Sequence, residues 1–148
     1  MREKLGKLQI EINCERGLWF SFKQGEQTFE TYSDQVYDSI NDLLTAVRLL
    51  YKGLEETECR FFEGAGEHVL VLQRNELAVT GSVYYFTSYA GKSINPNKGE
   101  IVFDFTDELY HFTNQIINAY YTLNNQWSTD RAYTELVDLM KQEKQKGR

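Results

Sequence analysis

The sequence predicts an α+β domain in which an antiparallel sheet of about seven strands packs against amphipathic helices, in the order βββ-α-ββββ-αα. Three observations lead to this prediction. Apolar and polar residues alternate near the start of the chain, and very short turns separate the strand segments. Strand segments also come in runs between the helices rather than alternating with them. Turns this short join only antiparallel neighbours, which excludes a parallel α/β sheet.

The first three strands are predicted over 8–14, 18–22 and 28–32, with turns at 15–17 and 24–26. A helix then begins with Ser33 as N-cap and Asp34 at the positive end of the helix dipole. Gly53 supplies the signal that ends it. The apolar positions of this helix fall on one arc and are Val36, Ile40, Leu43, Leu44, Val47, Leu50 and Tyr51.

Four more strands are predicted over 58–63, 68–73, 77–86 and 100–105. A glycine inside the third of these, Gly81, predicts a bulge or a bend. The polar segment 87–99 is long enough for a functional loop, although a plain hairpin connection is the alternative. Thr106 and Ser128 are the predicted N-caps of the second and third helices. We expect one domain over 1–148, with the charged segment 141–148 frayed.

The composition is that of a globular protein, because 41% of the residues are hydrophobic and 26% are charged. Nothing approaches the roughly 20 apolar residues of a membrane span, and no signal-peptide pattern is visible. Cys14 and Cys59 lie far apart in the sequence, and we expect two buried thiols rather than a disulfide. These features predict a cytoplasmic protein.

The negative charge is concentrated in one segment. The chain has a net charge of −6, while residues 24–67 alone carry ten acidic and three basic residues. Such a field repels nucleic acid and anionic membranes and attracts basic proteins. The alternative is that the charge serves only solubility.

Within this segment, Asp34, Asp38 and Asp42 recur at helical spacing opposite the apolar arc, and Glu30 precedes them on a strand. One interpretation is an acidic ridge that contacts a basic partner. The other is an ordinary solvated helix face, because Arg48 and Lys52 follow on the same side. In the 87–99 loop, Tyr89 and Lys92 are typical of interface anchors. Trp19, Tyr32 and Tyr51 are expected in the core.

No catalytic residue, metal ligand or cofactor site is predicted. Gly91-Lys92-Ser93 lacks the earlier glycine of a P-loop, because Phe86 stands there. Glu108 and His111 have the spacing of one half of a di-iron motif, but the second copy is missing. His111 is therefore expected to be solvent-exposed, with Asp107 near enough only for a loose metal contact.

His68 is expected to pack beside aromatic side chains. An alternative function keeps His68, His111 and Cys59 as reactive groups of a small-molecule-binding protein or enzyme, with an aromatic-lined pocket between sheet and helices. A third interpretation is a homo-oligomer whose sheet edges pair across a two-fold axis.

The segments 17–22, 32–34, 41–44 and 67–70 resemble those of small, acidic, uncharacterised bacterial proteins, some of which are similar to immunity proteins of toxin delivery systems. The resemblance covers about the first ninety residues and contains no diagnostic motif. It implies a cytoplasmic, non-enzymatic inhibitor that binds a basic toxin. No site residue can be transferred from it.

Overall fold

The computed structural model describes residues 7–13, 18–33, 39–63, 66–86, 100–122 and 130–146. Its seven strands and three helices follow the predicted order, which confirms the α+β class. The elements are β1 (Gln9–Asn13), β2 (Leu18–Gln24), β3 (Gln27–Ser33), α1 (Ser39–Tyr51), β4 (Glu56–Glu63), β5 (Gly66–Asn75), β6 (Ala78–Phe86), β7 (Glu100–Glu108), α2 (Leu109–Tyr121) and α3 (Asp130–Lys146).

The strands form two antiparallel sheets rather than one continuous sheet. The first has the order β1-β2-β3 and the second has the order β4-β5-β6-β7. Each strand pairs with its sequence neighbours because the connecting turns are short. In the β2–β3 turn, Gly25 has a φ of 61°, a left-handed conformation that costs glycine little.

The inner faces of the two sheets are held together by aromatic side chains. Phe20 contacts Phe61 of β4 with ring centroids 4.7 Å apart. Two residues further along β2, Phe22 reaches Phe103 and Phe105 of β7 at 6.5 and 6.4 Å. Contacts with β4 and with β7 are thus made by residues only two positions apart on β2. We infer that β2 crosses the strands of the second sheet at an angle rather than running along one of them.

The helices fill the rest of the inner surface and cover strand edges. The buried arc of α1 packs against β4, and α3 packs against α1. In α2, Phe112 stacks on Phe105 at 5.4 Å, and the Gln115 side chain accepts a hydrogen bond from the Ile10 N–H at 3.1 Å. The Gln24 side chain donates to the Thr106 carbonyl at 2.8 Å. The buried residues of α1 are Ser39, Ile40, Leu43, Leu44, Ala46, Val47 and Leu50.

The prediction that Thr106 caps the second helix is wrong. Thr106 pairs with Thr80 inside β7, and pairing continues to Glu108, which is the N-cap residue of α2 and makes no side-chain capping bond. The β6–β7 ladder therefore prevails over the local capping signal, because ladder hydrogen bonds satisfy more backbone groups than one cap.

The irregularity predicted at Gly81 lies elsewhere in β6. Register shifts between Val83 and Tyr84, whereas Gly81 pairs regularly with Phe105. A Cβ atom at position 81 would come within 2.1 Å of the Phe105 ring. Glycine at this position therefore allows an aromatic ring to lie directly against the strand.

The end of α3 and the role of Ser33 differ from expectation. We expected 141–148 to fray, but α3 continues to Lys146, and Glu143 pairs with Arg74. Ser33, the predicted N-cap, is the last residue of β3. Cys14, Ser128 and the loop 87–99 lie outside the described residues. Within the described ranges, no helix has both the length and the apolar character that crossing a membrane requires.

Candidate protein-binding surface

The outward side of the four-stranded sheet carries acidic side chains on both outer strands. Strand registers place Glu58 and Asp104 in one row across the sheet, with Val71 and Ser82 between them. The neighbouring row runs from Glu56 through Gln73 and Thr80 to Thr106, and Glu108 follows on β7. We call Glu56, Glu58, Asp104 and Glu108 the acidic face; all four are exposed.

Positive charge on this side is sparse in the described part of the chain. Arg60 is the one basic residue that points outward from the described strands β4–β7, and its side chain is 12% exposed. It pairs with the buried Glu67 at 3.0 Å and with Glu58 at 3.2 Å. Asp104 has no ion-pair partner among the described residues. The acidic face therefore keeps a net negative charge.

The sequence predicted an acidic site within segment 24–67, but in the fold the acidic side chains of this segment lie on different surfaces. Glu30 is exposed on the outer side of the three-stranded sheet, in a row with Ser21 and Glu11. The two outer sides point away from each other because the inner sides pack together. Glu30 and the acidic face therefore cannot contact one flat partner. Asp34, Asp38, Tyr89 and Lys92 lie outside the described residues.

Asp42 has a structural role that the sequence did not reveal. Its carboxylate accepts a hydrogen bond from the Arg60 N–H at 2.8 Å, on the outer edge of β4. The Ser39 hydroxyl donates to the Arg60 carbonyl at 2.8 Å. Two side chains from the first turn of α1 thus satisfy both backbone groups of one edge residue. Asp42 is half-buried rather than fully solvated.

Trp19 and Tyr32 were expected in the core, but they form a pair on the outer side of the three-stranded sheet. Their ring centroids are 5.2 Å apart, and Trp19 is 45% exposed. The signal was present in the sequence, because Trp19 alternates with the buried Phe20 and Phe22 and must therefore point outward. This aromatic pair is a second exposed surface with the composition of an interface.

The three reactive candidates occupy separate environments. His68 lies between the sheets, where its Nδ1 is 3.1 Å from the Thr31 hydroxyl and its ring contacts Phe29 at 4.9 Å, which agrees with the packing expected for it. His111 is half-buried rather than solvent-exposed, with its Nδ1 2.6 Å from an Asp107 carboxylate oxygen. The described residues contain no group of three side chains that could hold a metal ion.

The remaining candidate, Cys59, is fully buried between α1 and β4, with its Sγ 3.8 Å from the Ser39 carbonyl. Burial, and secondarily the Asp42 carboxylate, raises the pKa of this thiol. A neutral, enclosed thiol is a poor nucleophile. The aromatic side chains expected to line a pocket pack against one another instead, as Phe22 and Phe29 do with Phe103.

No protein-family model matches the chain, and no curated protein matches it significantly. A search of solved structures found similarity to a chain of a CdiA-CT/CdiI toxin and immunity complex from Enterobacter cloacae. The match covers 84% of this chain and 99% of that chain, with 15% sequence identity and a TM-score of 0.39. A TM-score this low does not establish a shared fold.

Proposed function

We propose that this chain is a non-enzymatic binding protein that contacts a basic protein partner through the acidic face. The observation that carries the proposal is the geometry of the four-stranded sheet. Carboxylates of β4 and β7 lie on the same side of this sheet, and the outward-pointing Arg60 already forms ion pairs with Glu58 and Glu67. A negative surface with neutral hydrogen-bonding groups between its charges is complementary to a positively charged surface.

The sequence resemblance to immunity-type proteins supports a finer proposal, that the partner is a toxin with a basic, nuclease-type surface. The chain would act in the bacterial cytoplasm by covering that surface. Association would be fast because opposite charges steer the two proteins together before contact. Specificity would come from the neutral residues of the rows, including Gln73, Thr80 and Ser82.

The test compares capture by the immobilised wild-type chain with capture by a variant in which the acidic face is neutralised. In that variant all four carboxylates are replaced by amides: Glu56→Gln, Glu58→Gln, Asp104→Asn and Glu108→Gln. We expect the wild-type chain to retain basic proteins at low ionic strength. The affinity of the neutralised variant for these basic proteins should fall by about fourfold or more, because four exposed pairs at about 0.2–1 kcal/mol each contribute at least about 0.8 kcal/mol, and tenfold corresponds to about 1.4 kcal/mol.

The matched control neutralises the opposite side of the molecule with Glu11→Gln and Glu30→Gln. This variant should bind like the wild type, and raising the salt to about 1 M, where the Debye length is about 3 Å, should release the partner from both. Retention by the neutralised variant, or loss only in the Glu11/Glu30 variant, contradicts the proposed surface. The second outcome would favour the side that carries Glu30 and the Trp19–Tyr32 pair.

A further inference from the structure

A polar cleft of about 340 Å³ opens at one end of the acidic face, where the β2–β3 turn meets β6 and β7. One wall is formed by Gln24 and Gln27 at the end of the hairpin. The opposite wall is formed by the two strands, through Ser82, Asp104 and other residues. The full lining is Gln24, Gln27, Thr80, Gly81, Ser82, Asp104, Phe105 and Thr106.

The walls of this cleft are fixed by contacts already described. Gln24 is 6% exposed, and its side chain donates to the Thr106 carbonyl, which attaches the hairpin end to the edge of β7. Ser82 and Asp104 lie directly opposite each other in the β6–β7 ladder. Strand pairing therefore fixes the backbone positions of the lining residues on β6 and β7.

The chemistry of the lining selects the kind of ligand. Asp104 is the one ionisable residue in the lining, and it has no ion pair among the described residues. The other polar side chains are neutral amides and hydroxyls, each with an oxygen that can accept hydrogen bonds. A single carboxylate surrounded by neutral acceptors fits a compact cation that carries several donors in one plane. A guanidinium group has this arrangement, whereas an ammonium group has fewer donors in a different geometry.

We propose that this cleft binds the guanidinium group of an arginine side chain from the partner. The inference rests on the proposed function and names the contact at its centre, with the Asp104 carboxylate as the ionic partner. Ser82, Thr80 and Thr106 would accept the remaining hydrogen bonds. A divalent cation fits less well, because one carboxylate supplies too few of the six to eight oxygen ligands that calcium takes.

The experiment uses the intact chain and methylguanidinium as the probe, observed in two-dimensional ¹H–¹⁵N NMR spectra. We expect saturable shifts of the Ser82, Asp104 and Thr106 amides and of the Gln27 side-chain amide. Asp104→Asn should weaken the apparent affinity by about threefold to fivefold, because Asp104 is exposed and an exposed ion pair contributes up to about 1 kcal/mol. The variant's own spectrum reports whether it is folded.

The matched control is Glu11→Gln, which removes an exposed carboxylate from the outer side of the three-stranded sheet, away from the cleft. It should change the affinity for methylguanidinium by less than about twofold, because interactions between separated exposed charges are largely screened. Equal shifts with sodium chloride at the same ionic strength would overturn the site. Undiminished binding by Asp104→Asn would overturn it as well. Equal affinity for methylammonium would overturn the assignment to arginine.

Failure of this site is distinguishable from failure of the proposed function. If basic proteins are captured through the acidic face but methylguanidinium does not bind, only the arginine cleft is overturned. If methylguanidinium binds in the cleft but no basic protein is captured, the cleft is supported as a cation site and the proposed function is overturned.

Discussion

Asp42 illustrates how an acidic side chain beside a strand edge can stabilise the fold rather than contact a partner. Asp42 is acidic and lies on α1, yet its carboxylate accepts the Arg60 N–H at 2.8 Å. A backbone donor on an outer strand needs either water or a side-chain acceptor. Asp42 supplies the acceptor and is thereby held near the strand, which limits its availability to a partner.

Asp42→Ala should lower the free energy of unfolding by about 1–3 kcal/mol, because it leaves a partly buried N–H without its acceptor. Asp42→Asn keeps a side-chain oxygen at this position and should cost less. Urea denaturation measures both effects. As a control, Asp138→Ala on an exposed position of α3 should change stability by less than about 0.5 kcal/mol. If Asp42→Ala leaves the free energy of unfolding unchanged, the structural role of Asp42 is contradicted and it is an ordinary surface acid.

At the scale of elements, one arginine joins three parts of the chain. Arg74, near the end of β5, forms two hydrogen bonds with the Glu143 carboxylate of α3, at 2.9 and 2.5 Å. The same guanidinium donates to the Leu50 carbonyl near the end of α1 and lies 5.7 Å from the centre of the Tyr51 ring. This junction explains why α3 continues into the charged segment that was expected to fray.

Arg74→Lys should therefore destabilise the chain by about 1–2 kcal/mol although it keeps the charge, because an ammonium group cannot form the paired hydrogen bonds. Residues 141–146 should exchange amide hydrogen faster in this variant. A double-mutant cycle with Glu143→Gln should give a coupling of about 0.5–3 kcal/mol. Arg131→Lys is the control, because the Arg131 side chain is 94% exposed and its 3.4 Å distance to Glu135 is longer than the distances between Arg74 and Glu143. Equal effects of the two substitutions would argue against the junction.

The order of elements could be predicted because each strand, turn and helix has a local pattern. Alternation in 8–14 and the apolar arc of α1 are both short-range signals. The capping prediction at Thr106 failed because β7 pairs with a strand that is distant from α2 in the sequence. Local patterns do not contain that pairing, so the boundary between β7 and α2 could not be derived from them.

At the scale of the whole molecule, the candidate surface depends on contacts that the sequence does not display. Glu58 and Asp104 share a row only because β5 and β6 lie between their strands. Conversely, Glu30 and Glu56 are both in the acidic segment but lie on opposite sides. Net charge predicted an acidic surface, whereas the division into two sheets determines which carboxylates lie on the same side.

The two sheets should unfold together, because aromatic contacts cross between them. Phe22 is fully buried and contacts Phe29, Phe103 and Phe105. Phe22→Ala should cost about 3–5 kcal/mol. Hydrogen exchange should show that β1–β3 and β4–β7 lose protection in a single step. Tyr121→Ala, at a position 75% exposed, should have little effect. Separate loss of protection in the first sheet would contradict the shared core.

Side chains cover backbone groups on three of the four outer strands. Gln115 covers β1 at Ile10, Ser39 and Asp42 cover β4 at Arg60, and Gln24 covers β7 at Thr106. A strand from a second copy would have to displace these side chains before it could pair with β1, β4 or β7 at these positions. Fibril growth by strand addition is therefore disfavoured at these positions, and concentrated solutions of the protein should remain clear on storage.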